Sequence, residues 1–258
     1  MFKVSDNLLL ESVHIKYCKY VLGVHRNASN HATRGELGSY PIAIDLICHY
    51  IKYWLTLQNY DTDRLAYQMY IDLYKSEGRN KTGWLSGISN ILRTFNFHNI
   101  WENNGTLNRS KFISNLKEML CKQYRLNWVA HVNSDVSDSK LRTYVTFKTT
   151  FSLENYLLTV KSFNKRSTFT KLRTSAHDLR IETGRYNKPM KLPVSQRLCQ
   201  YCERNEIEDE FHFIMHCDKY KYERDVLFDK VKTFTSFDSI TTDREKFVFI
   251  MSGNNGDS

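Results

Sequence analysis

Proline and glycine are scarce, three and ten respectively in 258 residues. So few helix breakers exclude a collagen-like or loop-dominated chain and favour long helices. Long apolar runs are missing as well. No stretch approaches the ~18 residues that a membrane-spanning helix needs. The apolar patch in the opening MFKVSDNLLLESVHIK is too short for a secretory signal. The Asn-x-Ser/Thr sites at Asn27, Asn80, Asn104 and Asn108 therefore read as chance matches. There is no glycine-rich phosphate loop and no adjacent aspartate pair of the kind a two-metal polymerase uses. Ser175 and His177 lie close in sequence, but a nucleophile and its base usually come from distant segments, so no hydrolase site is read there. The expectation is a noncatalytic, intracellular chain in a reducing compartment, with no membrane partner.

What is present is a folding composition. Hydrophobic residues make up 41% and aromatics 14%, too much apolar surface for a disordered chain. The length allows one or two domains. Apolar residues recur at helical spacing over most of it. Residues 6–22 read as a helix with Leu9, Val13, Tyr17 and Val21 on one face. Thr33 and Glu36 have capping-box spacing for a short helical turn, and Pro41 suits the first position of the next helix. That helix carries Ile44, Ile47, Ile51, Trp54 and Leu55 as core, Trp54 included. Residues 61–74 follow with Leu65, Met69 and Leu73 inward. Thr82 then caps a helix facing inward through Leu85, Ile88, Leu92 and Phe95. After a loop at 103–108, residues 110–132 form a long helix burying Phe112, Leu116, Leu120, Trp128 and Val132, and SDVSDS at 134–139 ends it. Residues 141–151 are ambiguous, because TYVTF alternates like a strand. Further helices are expected over 151–160, 219–234 and 242–251, with a frayed tail after them. Cys18, Cys48 and Cys121 sit in apolar helical patterns as small core residues.

Charge is uneven. The chain carries a net +9, and residues 161–197 alone hold ten basic side chains against Asp178 and Glu182. Phe163, Phe169 and Tyr186 are interleaved with them. Cations reach phosphates and aromatic faces stack on bases, so Lys165, Arg166, Lys171, Arg173, Arg180, Arg185, Lys188, Lys191 and Arg197 are the expected nucleic-acid contacts, to RNA or DNA. The bland alternative is a dense solvated helix face.

Immediately downstream, Cys199, Cys202, His212 and Cys217 form a C-x2-C-x9-H-x4-C pattern. Four such ligands suit a tetrahedral Zn2+ ion, and a full protein shell leaves no open position, so the site is structural. On a regular helix Cys217 would lie about 140° round from His212. The helix must therefore be irregular at Cys217 or start later, or His216 replaces His212. The loop between the ligand pairs is acidic, with Glu203, Glu206, Glu208, Asp209 and Glu210 against Arg204, so the knot positions the basic segment rather than gripping phosphate.

Several pieces, in order, resemble the carboxyl-terminal region of the reverse-transcriptase polyprotein of metazoan non-LTR (LINE-type) retrotransposons. They are HIKYCKYVLGV (14–24), RGELGSYPIAI (34–44), IKYWL (51–55), LRTSAHDLRIETGRY (172–186), RLCQYCE (197–203) and EDEFHFIMHCDKYKYER (208–224). The resemblance implies a zinc-knuckle-like element with Cys199, Cys202, His212 and Cys217 as ligands. It also implies a place downstream of the polymerase's fingers, palm and thumb, RNA or DNA binding during target-primed reverse transcription, and a location in the nucleus or cytoplasm. Because no palm is recognisable here, a polymerase partner supplied by another chain is one expectation. The run Arg173, His177, Arg180, Glu182 and Arg185 matches family residues. The polymerase palm and an endonuclease are not recognisable here, so the chain looks like a truncated or stand-alone tail and no polymerase activity carries over.

The reading is a mainly α protein: a helical body over 1–160, the basic segment with its CCHC zinc-binding knot over 161–235, and a terminal helix and disordered tail over 236–258. The alternatives to nucleic-acid binding are a zinc-stabilised protein-interaction domain, suggested by the acidic loop, or an inert remnant of a mobile element.

Overall fold

The computed structural model describes residues 9–77, 83–102, 108–134, 139–233 and 237–253. Thr82, Phe234, the expected helix start at 6–8, most of the loops at 103–108 and 134–139, and the tail from 254 lie outside these. The fold is mainly helical. In chain order the α-helices are α1 (Leu9–Leu22), α2 (Asn30–Leu37), α3 (Ile42–Leu57), α4 (Leu65–Glu77), α5 (Trp84–Thr94), α6 (His98–Glu102), α7 (Arg109–Val132), α8 (Tyr144–Phe147), α9 (Tyr156–Thr159), α10 (Phe163–Arg173), α11 (Arg180–Thr183), α12 (Lys221–Lys232) and α13 (Asp243–Ser252). Among the described residues there is no strand, only two isolated antiparallel bridges, Leu37 with Leu153 and Leu198 with Ile207. None of the described helices is long and apolar enough to cross a membrane.

The chain groups into two compact units, one from 1–14 and 40–127, the other from 15–39 and 128–258. The expected boundary at 160 follows the onset of the basic segment, and the one at 235 the end of the helix expected over 219–234. Packing instead puts the basic segment, the cysteine cluster and α13 into one unit.

The first unit is an apolar helix assembly. Ile47, Ile51, Trp54 and Leu55 of α3 pack with Leu85, Ile88 and Leu92 of α5 and with Phe112, Leu116 and Leu120 of α7. Trp54 is fully buried and stacks on Trp101 at 5.1 Å between centroids, a core residue as expected. Pro41 is the cap of α3 and not its first residue, and the backbone N–H of Ala43 donates to the carboxylate of buried Glu11 at 3.2 Å. A carboxylate at a helix start faces the positive end of the helix dipole.

Two expected helix faces are corrected. In α1, Leu9, Val13, Tyr17 and Val21 are exposed, while Glu11, Ile15, Cys18, Lys19 and Leu22 are buried. The buried stripe includes two charged residues, which is why the apolar stripe misled. In α4, Leu65 and Met69 face solvent, whereas Tyr70, Ala66 and Leu73 turn toward the core.

In the second unit the elements are short. Residues 151–160 give only α9, and the strand-like TYVTF forms the single turn α8. Helix α2 is capped by Ser29, whose hydroxyl accepts from the Ala32 N–H at 3.4 Å. Thr33 and Glu36 are therefore interior helix residues, both fully buried, and not a capping box. Gly38 ends α2 at φ 56°, and a Cβ there would come within 2.6 Å of the Leu153 backbone nitrogen, so both conformation and space require glycine.

Buried ions fill the middle of this unit. Arg173 holds Glu36 through two hydrogen bonds of 2.9 Å and reaches Glu154 at 2.7 Å. A third nitrogen donates to the Met251 carbonyl at the end of α13. The Tyr156 hydroxyl donates to Glu36 at 2.6 Å, and Lys148 pairs with Glu154. Burial, then the Glu36 charge, pushes the Tyr156 phenol far above its ordinary range. The guanidinium also lies over the rings of Phe147, Tyr156 and Phe169.

Candidate metal centre

Cys199, Cys202, His212 and Cys217 converge so that one ligand atom from each lies within 4.8 Å of the others. The first pair comes from a tight hairpin. Its base is the Leu198–Ile207 bridge, with the Cys199 N–H donating to the Glu206 carbonyl at 2.9 Å and the Glu208 N–H to the Arg197 carbonyl at 2.9 Å. Asn205 takes the left-handed conformation, φ 54°, that closes the turn. At its tip the Tyr201 N–H points at the Cys199 sulfur, 3.5 Å away.

The second pair comes from a π-helical turn over His212–His216. Asp209 starts it by accepting the His212 N–H at 2.8 Å. The Cys217 N–H then donates to the His212 carbonyl at 2.8 Å, a bond spanning five residues. That wider turn removes the angular offset a regular helix would impose between positions 212 and 217, and it is the irregularity the spacing demands.

The sulfurs of Cys199 and Cys217 stand 3.8 Å apart, and the Cys202 sulfur lies 3.4 Å from His212 Nε2. The His212 Nδ1 edge meets the Glu206 carboxylate at 2.8 Å. A carboxylate behind a ligating imidazole fixes the ring and its tautomer and leaves Nε2 for a metal. His216 is no member of the cluster. Its Nδ1 lies 3.2 Å from the same Glu206 and its Nε2 3.7 Å from Asp243. Burial pushes the Cys199 thiol up to about 11. At Cys202 burial opposes ionisation, but the Arg204 N–H and other donors bring the thiol below its ordinary value. Three sulfurs and an imidazole this close can hold a metal ion.

The knot is built into the unit around it. Ile214 and Met215 of the π turn pack on Phe247 and Met251 of α13. The acidic loop faces largely inward: Glu208 and Glu210 are buried. Glu208 accepts the Arg180 N–H at 2.8 Å. Glu210 takes both terminal bonds of one Arg142 nitrogen, at 2.8 and 2.9 Å, and bonds to Ser175 and His177 at 2.8 Å each. Although burial opposes it, the His177 hydrogen bond and the Arg142 charge hold the Glu210 carboxyl down at about 2. Ser175 and His177 both bond to this carboxylate, and the other ring nitrogen of His177 accepts the Leu179 N–H at 3.2 Å. Arg142, which pattern reading passed over in an ambiguous stretch, bridges Glu210 and Glu182, the latter at 2.6 Å.

The nine basic residues expected to meet nucleic acid divide sharply. Lys165, Lys171, Lys188 and Lys191 are exposed. Arg180 is half-buried, and Arg166 spends a nitrogen on the Val160 carbonyl at 2.8 Å. Arg185 pairs with Glu182 at 2.8 Å. Arg173 and Arg197 are fully buried, which corrects their assignment as phosphate contacts. Arg197 donates to the carbonyls of Ile181 and Leu192, at 2.8 Å each from its terminal nitrogens. Gly184 makes room for it, since a Cβ there would sit 2.7 Å from Arg197 Cγ. No family model, curated protein or solved structure matches the chain.

Proposed function

We propose that the chain is a noncatalytic nucleic-acid-binding region, of the kind found at the carboxyl end of a LINE-type reverse transcriptase, stabilised by a structural zinc ion. The observation that carries the reading is the closed ligand set beside the surviving surface cations. Two thiolates at about 2.3 Å from a tetrahedral ion stand about 3.8 Å apart, the separation between Cys199 and Cys217. The thiolate-rich set suits zinc, and four protein ligands leave no place for a reacting water. Lys165, Lys171, Lys188 and Lys191 lie exposed on the same unit, which also carries the half-buried Arg180. The buried Glu208 and Glu210 tie the knot to the basic segment, so the metal keeps those cations in place.

The test is a salt titration on metal-loaded protein. Purified chain is expected to carry one zinc, and labelled single-stranded RNA or DNA to bind with an affinity that falls steeply with salt, roughly 0.7 in the log–log slope for each phosphate neutralised. Absence of affinity at 50 mM salt would refute the proposal. The exposed apolar stripe of α1 (Leu9, Val13, Tyr17, Tyr20) favours a second reading, a protein-docking surface. A partner captured on it after nuclease treatment, and lost on Val13→Asp, would support that reading.

A further inference from the structure

A cavity of about 250 Å³ opens in the second unit, lined by none of the four cluster residues, where three chain segments meet. The loop after α1 brings His25, Arg26 and Asn27, the approach to α8 brings Lys140, and the stretch around α11 brings His177, Thr183 and Tyr186. Lys140 is held in place: its ammonium donates to the Asn27 carbonyl at 2.8 Å and lies 5.6 Å from the centre of the Tyr186 ring. Tyr186 is 56% exposed, so one ring face can receive a flat ligand. Arg26 is exposed at the same mouth.

The cavity favours an anion despite two carboxylates in its wall. Glu182 is outnumbered, with Arg142 at 2.6 Å, Arg185 at 2.8 Å and Lys140 at 3.8 Å. Asp178 is the other. His25 Nδ1 accepts the Asn27 N–H at 3.1 Å, so the neutral ring carries its proton on Nε2, a donor suited to a phosphate oxygen. The His25 pKa is lowered, first by burial and next by the Lys140 charge, with Lys171 and Lys19 adding to it and only Asp178 opposing. The field at the ring is thus positive on balance.

We infer that this cavity takes one nucleotide of a single strand, its phosphate against Arg26, Lys140 and His25 and its base on Tyr186. The inference rests on the nucleic-acid reading above and sharpens it. An aromatic face is sequence-tolerant and needs an unstacked base, so the expected ligand is single-stranded. A free nucleoside monophosphate shares that chemistry.

The full-length, zinc-loaded chain would be titrated with a fluorescein-labelled dT12, with a labelled 12-base-pair duplex, and with unlabelled AMP and UMP. Tyr186→Ala should weaken dT12 binding about five- to a hundredfold, the range of one lost stacking contact. It should leave the duplex and the salt slope unchanged, and Tyr186→Phe should restore binding. Arg26→Ala should instead reduce the salt slope by about one. Strand binding that ignores Tyr186→Ala and Arg26→Ala would overturn the cavity and leave the proposed function standing. If wild type binds no strand, the proposed function falls. Tyr186-dependent binding of AMP or UMP would then sustain a mononucleotide cavity, and its absence would overturn this too.

Discussion

The first unit buries isoleucine, leucine and stacked tryptophans between α3, α5 and α7. The second buries Arg34, Arg173 and Arg197 with Glu36, Glu182, Glu208 and Glu210, and gathers four metal-type ligands beside them. Apolar packing is non-directional, roughly additive and tolerant of small shifts. Buried charge is neither additive nor tolerant, since each ion is stable only while its partners stay in place. The two halves should therefore fail differently, and each prediction below is a way to make that difference visible.

The largest expected effect is metal removal. Structural zinc in small fingers contributes on the order of 10 kcal/mol of apparent binding free energy. Stripping the proposed zinc with a chelator should expose residues 197–217 and, through Ile214 and Met215, the α13 contacts of Phe247 and Met251. Hydrogen exchange followed by mass spectrometry is expected to show lost protection there while 85–92 and 112–120 keep theirs. Uniform loss over both regions would mean that the units do not differ in the way argued. Cys217→Ser should reproduce the pattern without chelator.

Next comes Arg173. Arg173→Met keeps much of the side-chain volume but leaves Glu36, fully buried, without its cation. Breaking a buried pair from one side typically costs about 3–5 kcal/mol. Adding Glu36→Gln should recover a substantial part of that loss, because the stranded charge goes with it. In the first unit Leu92→Ala is expected to cost a similar amount, about 2–5 kcal/mol, through the cavity it leaves. No neighbouring charge removal should rescue it. Urea melts of the single and double variants decide the point, and a double variant as unstable as Arg173→Met would sink the stranded-charge account.

This contrast also explains what could be read in advance. Helix α5 and most of α7 were legible because Leu85, Ile88, Leu92, Phe112, Leu116 and Leu120 repeat at helical spacing and are in fact the buried residues. The three cysteines of the cluster were legible from their spacing, which left His212 and His216 both open as the fourth ligand; only the family resemblance singled out His212. The same logic failed for α1 and α4, where an apolar stripe faces solvent. It failed again for Arg173 and Arg197. A lysine-rich, arginine-rich run is read as surface, yet an arginine can be the centre of a buried polar assembly if carbonyls and carboxylates elsewhere in the chain meet it. Those partners, Glu36, Glu154, Ile181, Leu192 and Met251, are scattered along the sequence, and no local pattern marks them.

The smallest effect tests how far this coupling extends. Helix α13 begins with a capping box, in which the Thr242 hydroxyl accepts the Glu245 N–H at 3.2 Å and the Glu245 carboxylate accepts the Thr242 N–H at 3.3 Å. Thr242→Ala removes the hydroxyl half, a loss of about 1 kcal/mol for a cap of this kind. Protection should fall over 243–246 only. The far end of α13 is pinned from outside the helix, by Arg173 on the Met251 carbonyl and by the packing of Phe247 and Met251 on the π turn. If the Thr242→Ala exchange pattern spread to 212–217, the metal segment would depend on the helix start as well as its end, and the second unit would be a single cooperative block with no local fraying.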